Sequence, residues 1–233
     1  MRYFYAPEVA PLHALDADES KHLLRVLRAQ VGDEVYLVDG KGHRYKGVLK
    51  EADKRSCLLA TELVETQAAP AGSLTLVIAP TKSTDRFEWL LEKAMEYGVS
   101  AIQPVWTERS ERKKEKTDRW QKILTNALKQ SQQLWLTALA PAMEWSDWLA
   151  SEQAHSEKGF IAHCEPTEKM HLFEAMPTGC ACWIAIGPEG DFSPAEIEAA
   201  MAQGVTAVTL GEQRLRTETA GLAAIQMHAL AHR

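Results

Sequence analysis

From residue 74 onward, five short apolar runs recur with helical segments between them: LTLVIAP, SAIQPV, GFIAHC, ACWIAIG and VTAVTLG. Apolar runs this short, bounded by turn residues, suit strands better than helices. Strands apolar on both faces belong to sheets that are covered on both sides. Strands alternating with helices build a mostly parallel sheet, so this part of the chain is predicted to be α/β. The intervening segments carry the helical period. In DRFEWLLEKAMEYGV, the residues Phe87, Leu90, Leu91, Ala94 and Met95 share one face. Asp85 and Glu88 have the spacing of a helix cap, and Gly98 suits the C-terminal stop. A long helix is expected over about 117–134 and a Trp-rich one over about 143–150.

The first 65 or so residues have a different rhythm. DEVYLVDG, HRYKGVLKEA and SCLLATELVE read as short strands, and DGKGHRYKG as a hairpin with glycine at its turn. SKHLLRVLRAQVGD reads as an amphipathic helix that Ser20 caps, with Leu23, Leu24 and Leu27 on one face. Several strands with one helix predict a small barrel. TQAAPAGS has the composition of a linker, so the expected domains are 1–68 and 72–233.

The chain has 233 residues, 25% charged and 45% hydrophobic, which is enough for two domains with cores. No apolar run approaches the roughly 20 residues that span a bilayer. MRYFYAPEVAPLHALD lacks the apolar stretch of a signal peptide, so a soluble cytoplasmic protein is expected. Cys57, Cys164, Cys180 and Cys182 form no C-x-x-C and read as buried free thiols, with Cys180 and Cys182 on one face of a strand. The net charge of −6 argues against a generic nucleic-acid binder, but the charge is unevenly spread. Residues 82–129 carry 11 basic against 8 acidic side chains, whereas residues 130–233 carry 5 against 13. The basic excess peaks in RSERKKEKTDRWQK, residues 109–122. Such a run is either a solvated helix face or a patch for RNA phosphates.

Two strand ends carry glycine. AIGPEGDFSPAE ends one apolar run in a Gly-Pro-Glu-Gly turn, and Ser193-Pro194-Ala195-Glu196 then forms a capping box with proline at its first helical position. VTLGEQRLRTETAGL again runs from strand through glycine and loop to helix, with Thr217 able to cap that helix and Glu218 near its positive end. Ligands of parallel sheets bind outside the carboxyl ends of strands, and glycine there lets the backbone approach a ligand. Each turn alone could be a mere strand-to-helix connection. Two of them at successive strand ends could form two walls of one pocket. Other chemistries find no support: there is no G-x-x-x-x-G-K-[ST] and no G-x-S-x-G, and HALAH, with His228 and His232, lacks the glutamate of a zinc helix. No metal is expected. His163-Cys164-Glu165 ends a strand and reads as structural or peripheral.

Together these segments resemble the RNA small-subunit methyltransferase E family of the SPOUT class. IGPEGDFSPAE and LGEQRLRTETA are similar to its two signature loops. HLLRVLRAQVGDEVYLVDGKGHRYKG is similar to its N-terminal PUA-like barrel, KSTDRFEWLLEKAMEYGV to its lysine-rich helix, and NALKQSQQ to its A-x-x-Q-S segment. The chain departs from the family's pattern where Asp191 replaces a third glycine, where Gln213 replaces an arginine and at Gln132-Gln133.

The resemblance implies a trefoil-knot methyltransferase domain with a mostly parallel sheet and a small PUA-like β-barrel. It implies a homodimer that methylates N3 of one uridine in 16S ribosomal RNA of the small ribosomal subunit, with S-adenosylmethionine as cofactor. By that resemblance Ile186, Gly187, Pro188, Glu189 and Gly190 line the cofactor site from one loop. Leu210, Gly211, Leu215, Arg216 and Thr217 line it from the other. Arg216 is the candidate cation for charge developing on the base, and Glu218 or Glu189 the candidate proton acceptor. Arg25 and Arg28, with Arg109, Arg112, Lys113, Lys114 and Lys116, are the candidate RNA contacts. A SPOUT methyltransferase acting on another RNA site, a non-catalytic RNA-binding factor and a nucleotide-binding α/β enzyme remain the alternative readings.

Overall fold

The structure, a computed structural model, describes residues 2–111 and 113–232. Arg112, a candidate RNA contact, lies outside the described residues. The chain divides into two compact units. One comprises the residues up to Ala69 together with Thr125–Leu136, and the other Pro70–Leu124 together with the residues from Thr137 on.

The first unit contains β1 (Tyr3–Tyr5), β2 (Leu12–Ala14), α1 (Ala17–Lys21), β3 (Glu34–Val38), β4 (His43–Glu51) and β5 (Leu58–Thr66). The sheet runs β1-β3-β4-β5-β2, with β1 parallel to β3 and the other pairs antiparallel. Phe4, Leu23, Leu37, Leu49 and Leu59 form its core. The β3–β4 turn is built as its glycines suggest. Gly40 and Gly42 take positive φ, and Asp39 Oδ1 accepts from the N–H groups of Lys41 and His43.

The small helix differs from its expected form. It starts earlier, capped by Asp16, and continues from α1 as a π-helical turn over His22–Val26. Ser20 is therefore not the cap. It is buried, and its Oγ donates to Leu15 O and accepts from Cys57 N. Its hydroxyl thus ties the helix to the residues just after β2 and just before β5, and it satisfies a buried acceptor and a buried donor together.

The second unit contains β6 (Leu74–Ile78), α2 (Thr84–Glu96), β7 (Ala101–Trp106) and α3 (Thr117–Ser131), whose residues from Thr125 on belong to the first unit. There follow β8 (Ala138–Leu139), β9 (Met143–Glu144), α4 (Trp145–Leu149), α5 (Glu152–Ser156) and β10 (Lys158–Ala162). The chain ends with β11 (Met170–His171), α6 (Leu172–Ala175), β12 (Cys182–Ile186), α7 (Pro194–Ala202), β13 (Thr206–Thr209) and α8 (Thr217–Ala231). The sheet order is β11-β13-β10-β12-β6-β7-β8, with β9 also paired to β7, and every pair is parallel.

All five residues of β6 and of β12 are buried, so the nearly continuous apolar runs reflect a sheet covered on both faces. One face packs Val77, Ile161 and Trp183 against Trp145, Trp148 and Phe192. The Trp-rich segment is thus core, with the rings of Trp145 and Trp148 edge-on to Trp183. The alternating residues Leu76 and Ile78 meet α2 and α8, where Gly221 permits a close approach.

Other local expectations are corrected. α2 is entered from Ser83 without a side-chain cap, and Glu88 is buried with Arg119 Nη2 at 2.6 Å from its carboxylate. α3 ends at Ser131, because Gln132 takes φ 59°, and the Trp-rich helix is only the single turn of α4. Cys57 and Cys182 are buried, but Cys164 and Cys180 are exposed, and Cys180 precedes β12 rather than sharing its face. Among the described residues, no helix is long and apolar enough to cross a membrane.

Candidate active site

The carboxyl ends of three neighbouring strands, β13, β10 and β12, open into one cleft of about 760 Å³. That is the volume of a small-molecule site, in the place where parallel sheets bind ligands. Three chain segments line it: 186–191 after β12, 208–217 after β13, and 162–165 after β10. All ten residues expected at the cofactor lie in the first two segments and line the cleft.

The first segment is a tight turn, closed by Asp191 N donating to Pro188 O at 2.9 Å. A Cβ on Gly187 would stand 3.0 Å from Phe192 N, so any side chain there would crowd the backbone of the turn. The capping box forms: Glu196 N donates to Ser193 Oγ, and Ser193 N to Glu196 Oε2. The remaining oxygen, Glu196 Oε1, accepts from Glu108 N at 2.8 Å. Arg109 then reaches the turn, its Nη1 donating to Gly190 O at 2.9 Å and Phe192 O at 3.3 Å. Arg109, a candidate RNA contact, thus lines the cleft and fastens the glycine turn. Glu189 Oε1 accepts from Lys82 N at 3.0 Å.

The second segment turns at Gly211, whose φ of 132° excludes most side chains. Arg216 sits at the entrance to α8 with no side-chain cap, and Thr217 is the first helical residue. Thr217 therefore does not cap the helix; its Oγ1 donates to Gly187 O at 3.1 Å and joins the two glycine segments. Arg216 is exposed and lines the cleft beside the positive end of α8. Glu218 is buried, faces Arg86 Nε at 3.7 Å and is not among the residues lining the cleft.

The third wall is the segment that reads as peripheral in the sequence, His163-Cys164-Glu165. β10 lies between β12 and β13, so its end stands between the two glycine segments. Lys169 Nζ donates to His163 O at 2.8 Å and to Glu165 O at 2.6 Å. Burial and the nearby Lys169 ammonium hold the His163 imidazole below its ordinary pKa, so it is neutral at pH 7. The signal that points to this wall is an apolar strand ending abruptly in three polar residues.

The cleft carries Arg109, Lys169, Arg214 and Arg216 against Glu165, Glu189, Asp191 and Glu212, a balanced set of charges. Arg25 and Arg28 lie exposed in the first unit, outside the cleft. Lys113 is held by both oxygens of Glu144, and Lys114 and Lys116 line a small hollow with Thr84, Phe87 and Trp120. His228 and His232 stack with ring centroids 4.0 Å apart. Among the described residues, no group of three or more His, Cys, Asp or Glu side chains is placed to hold a metal ion.

Comparison with known proteins adds to this geometry. Residues 68–229 match the family model of an RNA methyltransferase domain, and residues 15–62 that of an RNA methyltransferase PUA domain. The chain is 31% identical over 240 residues to ribosomal RNA small subunit methyltransferase E of Synechocystis, covering 98% of this chain and 77% of that protein. A crystal structure of a probable rRNA-methyltransferase from Porphyromonas gingivalis superposes with a TM-score of 0.91 at 36% identity, covering 99% of this chain and 98% of the other. Ribosomal RNA small subunit methyltransferase E from Neisseria gonorrhoeae, bound to S-adenosyl methionine, superposes with a TM-score of 0.88 at 29% identity, covering 100% and 98%.

Proposed function

The chain belongs to the RNA methyltransferase family, and from that premise we propose that it methylates N3 of one uridine in 16S ribosomal RNA with S-adenosylmethionine. The observation that carries the proposal is that both glycine segments line one cleft. Its lining fits that cofactor: Ile186, Pro188, Leu210 and Leu215 offer apolar surface for a purine ring. The balanced charges suit a ligand with an ammonium, a carboxylate and a sulfonium. The two segments would thread as the trefoil knot of the SPOUT class, in a homodimer working in the cytoplasm.

The cofactor supplies an electrophilic methyl group. Uridine N3 is a nucleophile only after losing its proton, and the resulting charge spreads to O2 and O4. Arg216 would be the cation that stabilises that charge, and its site at the start of α8 supports this because the helix end makes it more positive. Glu189 is the acidic candidate that lines the cleft and would take the proton, whereas Glu218 would hold Arg86. Lys114 and Lys116, with Arg25 and Arg28 in the first unit, would meet RNA phosphates.

The test is methyl transfer from labelled S-adenosylmethionine to small ribosomal subunits that lack the modification, with the product base identified. Methyl on uridine N3 supports the proposal, and methyl elsewhere overturns its target. Thermal unfolding with S-adenosylmethionine, NAD and ATP in turn separates the classes. Stabilisation by NAD or ATP alone would remove the methyltransferase reading.

A further inference from the structure

We infer that Asp191 is a positioning residue that fixes the 163–165 wall of the cleft onto the glycine turn 187–190, so that the two present one surface to the cofactor. The inference rests on the proposed use of S-adenosylmethionine.

Asp191 sits at φ 64°, a left-handed conformation that glycine enters freely and other residues seldom. Glycine would make the same turn without penalty, so the turn alone gives no reason for a carboxylate. The reason lies in its partners. Oδ1 accepts from Phe192 N at 2.8 Å, and Oδ2 accepts from Cys164 N at 2.7 Å. Phe192 leads into α7, and Cys164 stands two residues beyond the end of β10. One anion of the glycine turn therefore binds a backbone donor of the 163–165 wall and the amide that leads out of its own turn.

The wall is gripped from its other side as well. Lys169 Nζ donates to the carbonyl oxygens of His163 and Glu165. The segment's amide is thus held by an anion and its two flanking carbonyls by a cation. Hydrogen bonds to charged groups are the stronger kind, and a wall held by three of them is fixed before ligand arrives. A pre-fixed wall improves ligand binding by removing the ordering cost. Neither Arg216 nor Glu189 is hydrogen-bonded to Asp191, so chemistry should be spared when the carboxylate is lost.

The test uses the full chain with Asp191→Gly and Asp191→Asn. Asp191→Gly keeps the backbone conformation and removes both acceptors. It is expected to raise Kd and KM for S-adenosylmethionine about tenfold, as loss of a charge-assisted bond predicts. kcat and KM for ribosomal subunits should stay within about twofold of wild type. Asp191→Asn retains a single acceptor oxygen and should fall between the two. Wild-type cofactor affinity in Asp191→Gly overturns the inference, and so does a fall in kcat with KM for the cofactor unchanged. Equal behaviour of Asn and Gly variants would show that the acceptors are not what matters and also overturns it. Failure of the wild-type protein itself to bind S-adenosylmethionine is a separate result. It would overturn the cofactor reading and the inference with it.

Discussion

The Thr217 hydroxyl donates to the Gly187 carbonyl oxygen at 3.1 Å, across 30 residues of chain and in a buried setting. This bond holds the entrance of α8 against the turn after β12. Valine fills nearly the same volume but donates nothing. Thr217→Val leaves a buried carbonyl unpaired, at a cost of about 1–3 kcal/mol. The expected outcome in thermal unfolding is a drop of roughly 2–10 °C, with a smaller stabilisation by S-adenosylmethionine than in wild type. Unchanged melting and unchanged ligand response would show that the bond is dispensable.

Gly159 lies under the indole of Trp183, and a Cβ there would overlap Cζ2 and Cε2 of the ring. Trp183 cannot retreat, because Trp145 and Trp148 stand edge-on to it and its Nε1 donates to Ala154 O. Gly159→Ala is therefore expected to destabilise by about 1–3 kcal/mol or more through overpacking. Urea titration reads this as a lower midpoint with an unchanged slope. A midpoint equal to wild type would mean that the ring moves freely.

Arg109 and Lys114 separate two roles that look alike in a basic run. Arg109 fastens the glycine turn, so Arg109→Ala should weaken cofactor binding and leave the salt dependence of RNA binding unchanged. Lys114 is exposed outside the cleft, so Lys114→Ala should leave the cofactor unaffected. It should reduce the slope of log K against log salt by about one phosphate contact. Exchange of these two outcomes would reverse the assignment.

Burial, and then the adjacent His232, push the pKa of His228 down to about 4, and burial also lowers His13 and His163. In the unfolded chain a histidine titrates near 6.5. Between those values the unfolded state binds protons that the folded state refuses, so stability falls as pH drops through this window. Melting temperatures from pH 7 to pH 5 should decline. His228→Gln should flatten part of the decline and leave the share of His13 and His163. An identical slope in the variant would remove His228 from the account.

The parallel sheet was legible because β6 and β12 are buried at every position and so are almost wholly apolar, with Thr75 the single polar residue of the two. The two glycine segments were legible because the turn at Gly187 and the left-handed Gly211 admit few other residues. The third wall was not, because strand order is not written in strand sequence. Only the insertion of β10 between β12 and β13 turns His163, Cys164 and Glu165 inward to a site. The bonds that Ser20, Thr217 and Arg109 make were not legible for a related reason. Each looks local, as a cap or as part of a charge run, yet each bonds to backbone at least five residues away.

The pairing of β12 with β6 has a consequence for how the protein comes into being. Cys182 aligns with Leu74 and Ile186 with Ile78, segments more than a hundred residues apart in the chain. Pairings so distant in sequence close late and slowly, since loop entropy is lost before any contact rewards it. The strand bearing the glycine turn can therefore find its place only after the hundred residues between it and β6 have been made. The proposed cofactor cleft thus depends on a pairing that the β6 strand, made early, must wait to complete.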